Sequence, residues 1–449
     1  MKINENSLTS IMTDICRNLN DEVINTYYVG GFVRDSFLGI RPKDIDICIT
    51  STSGIQYVQD KLERLKSSGI IDNITSVHGS FPIWIIEKNG RKYEFAMARR
   101  ERKIAEGHQG FVCETDFVTI EEDLSRRDFT INAIAVHSTK LVFIDPFNGI
   151  SDVLSGIIRH VSPAFEEDVL RVYRAARFAA RFAFEIHKDT LALMMLMRPK
   201  ASEISMERVG IELKKTFEYA KPSKFFRILD ETGWLTHAFK ELYDLKYIPQ
   251  DEEHHPEGNA FEHTLLTIDA AYDPFTRIVM LCHDLGKNGT TYFNKKGKLT
   301  CPSHPEQDVL YTDTLLKRIK YADWKTISQI KCLVKLHMLH VDITEKTIRK
   351  ALRELLHVKL TYKHLVDVMN ADIRGRAKVV IQSPNYKQEF AQMLIDTGAM
   401  VPIVTGKKLL ELGIEPSQKM GTIIETALKW QDRGTLNVDN WQKMIKPLL

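Results

Sequence analysis

The chain has 449 residues, 43% hydrophobic and 27% charged, with a net charge of +3. That balance suits a soluble globular protein of about three domains and excludes a chain disordered throughout. The longest wholly apolar run, Leu191–Met197, is far short of the ~20 residues of a bilayer-spanning helix, and no basic flank followed by an apolar core opens the sequence. Six cysteines without a CxxC pair argue against a disulfide scaffold or a zinc ribbon, and the expected compartment is a reducing cytoplasm.

In chain order, Leu8, Ile11, Met12, Ile15 and Leu19 recur at helical spacing, so residues 1–26 read as an amphipathic N-terminal extension with a helix over 10–20. From residue 27 the texture changes to short β-rich runs (YYVGG, DIDICIT, FPIWIIE, KYEFAMA, NAIAVH) separated by Gly, Asn and charged turns, with a helix after Arg34. This predicts a mixed α/β head over 27–145. From Glu167 onward the periodicity is nearly all helical. The expected class is therefore α+β, with a helical neck and body over 146–250, a further helical domain over 251–382 and a helical tail over 383–449. The polar, proline-containing stretch 247–260 reads as a linker, and a boundary is expected near Ser383–Pro384.

The first chemistry-bearing segment is Val29-Gly30-Gly31-Phe32-Val33-Arg34-Asp35, followed by Asp44-Ile45-Asp46. A strand that ends in two glycines and opens a helix brings backbone N–H groups close to a phosphate, and Arg34 adds charge-assisted bonds to the same anion. Asp44 and Asp46, two apart in a β-type run, share one face. With Glu94 on another strand they form an oxygen donor set suited to Mg²⁺ beside a substrate phosphate. Further on, Arg171, Arg174, Arg177 and Arg181 make one basic helical stripe with Asp168 a turn ahead. A carboxylate only accepts hydrogen bonds and a guanidinium only donates them. One Asp168–Arg171 pair therefore matches the Watson–Crick edges of C and A and rejects those of U and G, without a nucleic-acid template.

These segments resemble the class II nucleotidyltransferases. Besides GGFVRD and KDIDI, the chain carries Arg126-Arg127-Asp128-Phe129-Thr130-Ile131-Asn132-Ala133, the turn Asp145-Pro146-Phe147-Asn148-Gly149, and Glu167-Asp168-Val169-Leu170-Arg171 with Arg174 and Arg177, in the family's order. The family contains CCA-adding enzymes and bacterial poly(A) polymerases. The resemblance implies catalytic carboxylates at Asp44, Asp46 and Glu94. It implies a nucleotide site from Gly31, Arg34, Arg126, Asp168, Arg171, Arg174 and Arg177, with Arg126 favoured over Arg127. It also implies Mg²⁺ at the head, CTP and ATP as substrates, the tRNA acceptor arm and 3′ end as partner, and a mobile loop over Ala98–Thr115 in the switch from C to A addition. The basic helices ISMERVGIELKKTF and KTIRKALRELL are the expected RNA contacts.

A second constellation follows. Eight of the 15 histidines lie between Trp234 and His340. His263, the doublet His283-Asp284 and Asp372 supply mixed nitrogen and oxygen ligands for a divalent transition metal, and His304 and His337 are candidates for substrate phosphate or a second metal. This set resembles the HD phosphohydrolase superfamily, which implies Ni, Mn, Co or Fe and phosphoester hydrolysis. A class II head followed by an HD domain resembles the bacterial multifunctional CCA proteins, whose HD part is associated with 2′,3′-cyclic phosphodiesterase, 2′-nucleotidase and phosphatase activity. His255-Pro256-Glu257 and the C-terminal Thr405-Gly406-Lys407-Lys408 fit the same family. Three departures stand out: the head motif starts some twenty residues late, Phe32 replaces a small residue, and Asn259 replaces an aspartate two residues after HPE. A poly(A) polymerase, or an HD phosphohydrolase with an RNA-binding head, are the competing readings. A monomer and a homodimer both remain open, with no membrane partner.

Overall fold

The structure is a computed structural model that describes residues 10–42, 44–78, 81–103, 111–251, 255–341, 345–376 and 402–449. The chain divides into two compact units, Met1–Glu212 with Arg227–Trp234, and Leu213–Phe226 with Leu235–Leu449. The fold is α+β, with its strands concentrated in the first unit. The expected boundary at Ser383–Pro384 lies outside the described residues.

The first unit is built on a seven-stranded mixed sheet in the order β3-β4-β5-β2-β1-β8-β9. Its strands are β1 (Ile24–Val29), β2 (Asp46–Ser51), β3 (Asn73–His78), β4 (Pro82–Lys88), β5 (Arg91–Met97), β8 (Ala135–His137) and β9 (Phe143–Ile144). Between them, β6 (Arg100–Lys103) and β7 (Phe111–Glu114) pair as a separate antiparallel ribbon. The expected loop over Ala98–Thr115 is thus a hairpin whose tip falls outside the described residues. β2 and β5 are parallel, with Asp46 opposite Glu94, and the other pairs of the sheet are antiparallel.

Helices α1 (Ser10–Leu19), α2 (Gly31–Phe37), α3 (Gly54–Ser67), α4 (Ile120–Ser125) and α5 (Gly149–Ser155) complete the head. Residues 10–26, read from sequence as an extension, belong to this fold. Met12, Ile15, Cys16 and Leu19 are buried, α1 packs on α3 and β1, and β1 already starts at Ile24. The expected boundary between 26 and 27 would cut through a paired strand. α6 (Leu170–Phe182), α7 (Lys188–Leu196) and α8 (Met206–Thr216) follow.

The second unit is helical. Helices Ala260–Ala270, Pro274–Cys282, His304–Arg318, Trp324–Leu336 and Tyr362–Arg374 surround a core that includes Leu265, Ile278, Leu281, Leu315, Leu333 and Met369. The described residues of the stretch 247–260 are folded onto the second unit: Gln250 donates its backbone N–H to Gly258, Pro249 bridges to Asn259, and His255 and Glu257 reach a buried cluster. A C-terminal cluster joins Val404, Leu409, Ile423, Leu436 and Ile445. No helix among the described residues is long and apolar enough to cross a membrane.

Candidate functional site

At the head, β1 is followed by Gly30, whose φ of 65° and ψ of −130° suit glycine. The chain turns there into α2, a helix of seven residues. Phe32, unusual by family pattern, is fully buried and packs on the Tyr28 ring at 5.2 Å. Arg34 is also buried. Its guanidinium donates to Asp35 at 2.6 and 2.8 Å and to Asn132, and lies over Phe182 and Phe178. Gly31 sits in the first turn of the same helix.

The sheet register sets Asp46 and Glu94 side by side at the mouth of a cleft of about 230 Å³, whose lining includes Arg99, Asp123, Arg126 and Arg127. Asp46 is solvent-accessible, yet withdrawal from water and the Asp44 charge push its carboxyl up, against the pull of Arg127 and Arg34. Glu94 is pushed up by desolvation, then by Asp46 and Asp44. Asp46 and Glu94 line the cleft, while Asp44 precedes β2 and is felt through its charge on both; oxygen donors of this kind fit a hard divalent cation. Their donor atoms are not among the groups of described residues that converge within 4.8 Å; all of those groups lie in the second unit.

Asp123, overlooked in the sequence reading, organises the positive side of the cleft. It is buried, accepts from Arg126 at 2.6 Å and from Arg127 at 2.8 Å, and stays ionised with its pKa held at about 2. Burial alone would raise that value; the two guanidiniums reverse it. Its spacing of three and four residues from the two arginines was a signal available in the sequence. Arg127 stands close to Gly30 and Asp46. Arg99, also overlooked, lies 3.4 Å over the Phe81 ring at the cleft wall.

Every member of the expected arginine stripe is engaged. Arg171 donates to the carbonyls of Ala164 at 2.9 Å and Arg126 at 2.8 Å. Arg174 grips Asp128 at 2.5 and 2.8 Å. Arg177 pairs with Glu212 in a buried ion pair, and Arg181 donates to Asp35 at 2.8 Å. The stripe thus ties α6 to the head and to α8. Asp168 is joined by Arg208, forty residues away and without any sequence signal, through bonds of 2.8 and 3.1 Å.

In the second unit the expected ligands converge and are almost wholly buried. His283 Nδ1 donates to the Met280 carbonyl at 2.7 Å, His304 Nδ1 to Cys301 at 2.9 Å and His337 Nδ1 to Val334 at 2.7 Å. A carbonyl only accepts, so each ring carries a proton on Nδ1 and turns Nε2 inward. His283 Nε2 has no hydrogen-bond partner among the described residues, and stands 3.4 Å from Asp284 and 3.7 Å from Asp372. His304 and His337 bring their Nε2 atoms within 3.3 Å of each other, beside Asp284. Burial and the neighbouring His283 and His304 push His337 down to about 3, so it stays neutral at physiological pH.

Three donor groups result among the described residues: His255, Glu257 and His263; His263, His283 and Asp372; and Asp284, His304 and His337. His304 and His337 turn two ring nitrogens toward each other beside Asp284, an arrangement that fits a bound cation, whereas His263 Nε2 is hydrogen-bonded to Asp372 Oδ1 at 2.9 Å. Glu257 bonds His263 Nδ1 at 2.7 Å and His255 at 3.0 Å, and Lys287 bonds Asp284 at 2.7 Å. Neither appeared in the expected ligand set, although HPE and the HDLGK run carried both. Asn259 caps the helix Ala260–Ala270 by accepting from Glu262 N at 2.9 Å. An aspartate would cap equally well, so this departure leaves the helix start intact.

A cleft lined by carboxylates and arginines on a mixed sheet, with helices following, defines the nucleotidyltransferase-head class. Residues 26–159 match the family described as "Poly A polymerase head domain", and 183–245 match "Probable RNA and SrmB- binding site of polymerase A". The chain is 35% identical over 371 residues to a multifunctional CCA protein of Xylella fastidiosa (strain M12), covering 79% of this chain and 84% of that protein. It is 33% identical over 414 residues to a multifunctional CCA protein of Mannheimia succiniciproducens, covering 87% and 93%. The chain belongs to the multifunctional CCA protein family. Its fold is that of the Bacillus stearothermophilus CCA-adding enzyme solved with CTP, with a TM-score of 0.68, 19% identity and coverage of 100% and 98%. A Thermotoga maritima CCA-adding enzyme solved with tRNA gives a TM-score of 0.57 at 19% identity, with coverage of 97% and 94%.

Proposed function

We propose that this chain is a tRNA nucleotidyltransferase that adds C, C and A to tRNA 3′ ends from CTP and ATP, and that its second unit is a metal-dependent phosphohydrolase. The observation that carries the first reading is the pairing of Asp46 with Glu94 across β2 and β5, facing Arg126 and Arg127, in a chain of this family. In the reaction the 3′-hydroxyl oxygen bonds to the α-phosphorus, the bond to the β-phosphate oxygen breaks, and pyrophosphate leaves. Asp44, Asp46 and Glu94 would hold Mg²⁺, which when bound lowers the hydroxyl pKa and offsets charge on the attacking and leaving oxygens. Arg126 and Arg127 supply fixed positive charge for the triphosphate, with Gly31 at the adjoining turn. Asp168 and Arg171 read the base edge. Arg34, Arg174 and Arg177 act from behind, through Asp35, Asp128 and Glu212. The basic helices α8 and Glu345–His357 are proposed tRNA contacts.

For the second site, His263, His283, Asp284 and Asp372 would hold one divalent transition metal (Ni, Mn, Co or Fe), with His304 and His337 at a second position sharing Asp284. Such a metal activates water against a phosphoester, here a 2′,3′-cyclic or terminal phosphate of a damaged tRNA end. Glu257 fixes the His263 ring, and Lys287 brings a cation to Asp284.

The test is incubation of the chain with tRNA lacking its 3′ end, Mg²⁺ and each labelled nucleotide in turn, beside Asp44→Ala and Asp46→Ala. Two C then one A, lost in both variants, is the expected result. A long A tail would assign a poly(A) polymerase. No incorporation would leave a phosphohydrolase with an RNA-binding head.

A further inference from the structure

We propose that Arg208 is a positioning residue for base selection: it holds the Asp168 carboxylate so that a single acceptor direction, on Oδ2, is left for an incoming base. The proposal rests on the reading of Asp168 and Arg171 as the base-reading pair. Asp168 precedes α6 in extended conformation, and its side chain is 27% exposed. Packing therefore does not fix the carboxylate; hydrogen bonds must. Oδ1 accepts the Leu170 backbone N–H at 3.0 Å and Arg208 Nη1 at 3.1 Å. Oδ2 accepts Arg208 Nη2 at 2.8 Å. The Leu170 bond alone would let the carboxylate swing about one oxygen, and the guanidinium fork stops that rotation.

A carboxylate has about four acceptor directions. Three are filled by described residues, both of those on Oδ1 and one on Oδ2. The remaining direction takes one N–H. An exocyclic amine of cytosine or adenine supplies it; the O4 of uracil and the O6 of guanine would bring an acceptor against an acceptor. Arg171 is fixed in a matching way, since its bonds to the Ala164 and Arg126 carbonyls set its plane and leave other N–H groups for the ring nitrogen beside the amine. Arg208 is held in turn by the first turn of α8, where its backbone N–H bonds Ser205.

The test measures single-nucleotide incorporation of CTP, ATP and UTP onto truncated tRNA by wild type, Arg208→Ala, Arg208→Lys and Asp168→Ala, with a thermal melt of each. Losing a charge-assisted fork predicts that Arg208→Ala raises KM for CTP and ATP roughly tenfold and narrows the preference over UTP by a similar factor, with kcat within about twofold of wild type. Arg208→Lys keeps the charge without the fork; it recovers part of KM but not the preference over UTP. Unchanged KM and preference in Arg208→Ala, while Asp168→Ala loses the preference, overturns the proposal and leaves the base-reading pair standing. A preference that survives Asp168→Ala overturns the underlying reading. An equal fall in kcat for all nucleotides, with a lowered melting temperature, makes Arg208 structural only and also overturns it. Should Arg208→Ala not fold, the preference shown by Arg208→Lys decides.

Discussion

Asp128 and Glu257 are the residues through which each site is held in place. Asp128 is buried and joined to Arg174, Asn132 and the Phe129 N–H. Burial alone would raise its pKa; Arg174 and Asn132 reverse that and hold it at about 2. Because the folded value lies below the unfolded one, the contribution is complete above about pH 4 and is lost as pH falls toward 2. It amounts to about 2 kcal/mol. Chemical denaturation of wild type and Asp128→Asn between pH 2 and 6 is expected to show a stability gap that closes on the acid side; a gap independent of pH would refute this. Glu257 holds the His263 ring through Nδ1. Glu257→Gln should weaken Mn²⁺ binding at the second site by 10–100-fold, measured by calorimetry, while nucleotide incorporation stays at the wild-type rate.

At the scale of elements, motifs do more structural work than their chemistry suggests. The DPFNG turn is a helix start: Asp145 accepts from the backbone N–H groups of Gly149 and Ile150 at 2.6 and 2.9 Å. A side chain at Gly149 would collide with the Thr130 carbonyl oxygen and Ile134. Gly149→Ala should cost roughly 2–3 kcal/mol through this overpacking, read as a lowered melting temperature; an unchanged one would mean that α5 shifts freely. The strand carrying Glu94 was legible because alternation of buried and exposed residues survives in KYEFAMA, and the one carrying Asp46 because DICITS is rich in β-forming residues although Ile47, Cys48 and Ile49 are all buried. α1 was legible from its period, but its place in the head was not, since periodicity shows that a face is buried and not what buries it. The arginine stripe was legible as a stripe. Its partners, Asp35, Asp128 and Glu212, come from distant segments, and the tertiary pairing that turns a candidate anion site into a tie is invisible along the chain. The same reason hid Arg208. The stretch 247–260 misled because polarity and proline mark both linkers and site loops.

Across the whole molecule, two sites of different chemistry occupy separate units. The head offers oxygen donors and arginines; the second unit offers buried imidazoles and carboxylates. The two proposed activities are therefore expected to be separable by mutation. Chelation followed by Mg²⁺ alone should restore nucleotide addition, whereas the proposed phosphohydrolase should require a transition metal, since imidazole nitrogen prefers such ions to Mg²⁺. The most direct test compares wild type, Asp46→Ala and His283→Ala on two substrates, tRNA ending before its CCA and an RNA ending in a 2′,3′-cyclic phosphate. The expected result is loss of CCA addition in Asp46→Ala alone and loss of cyclic-phosphate opening in His283→Ala alone. CCA addition that persists in Asp46→Ala, or vanishes in a folded His283→Ala, would contradict a head that carries the transfer on its own carboxylates.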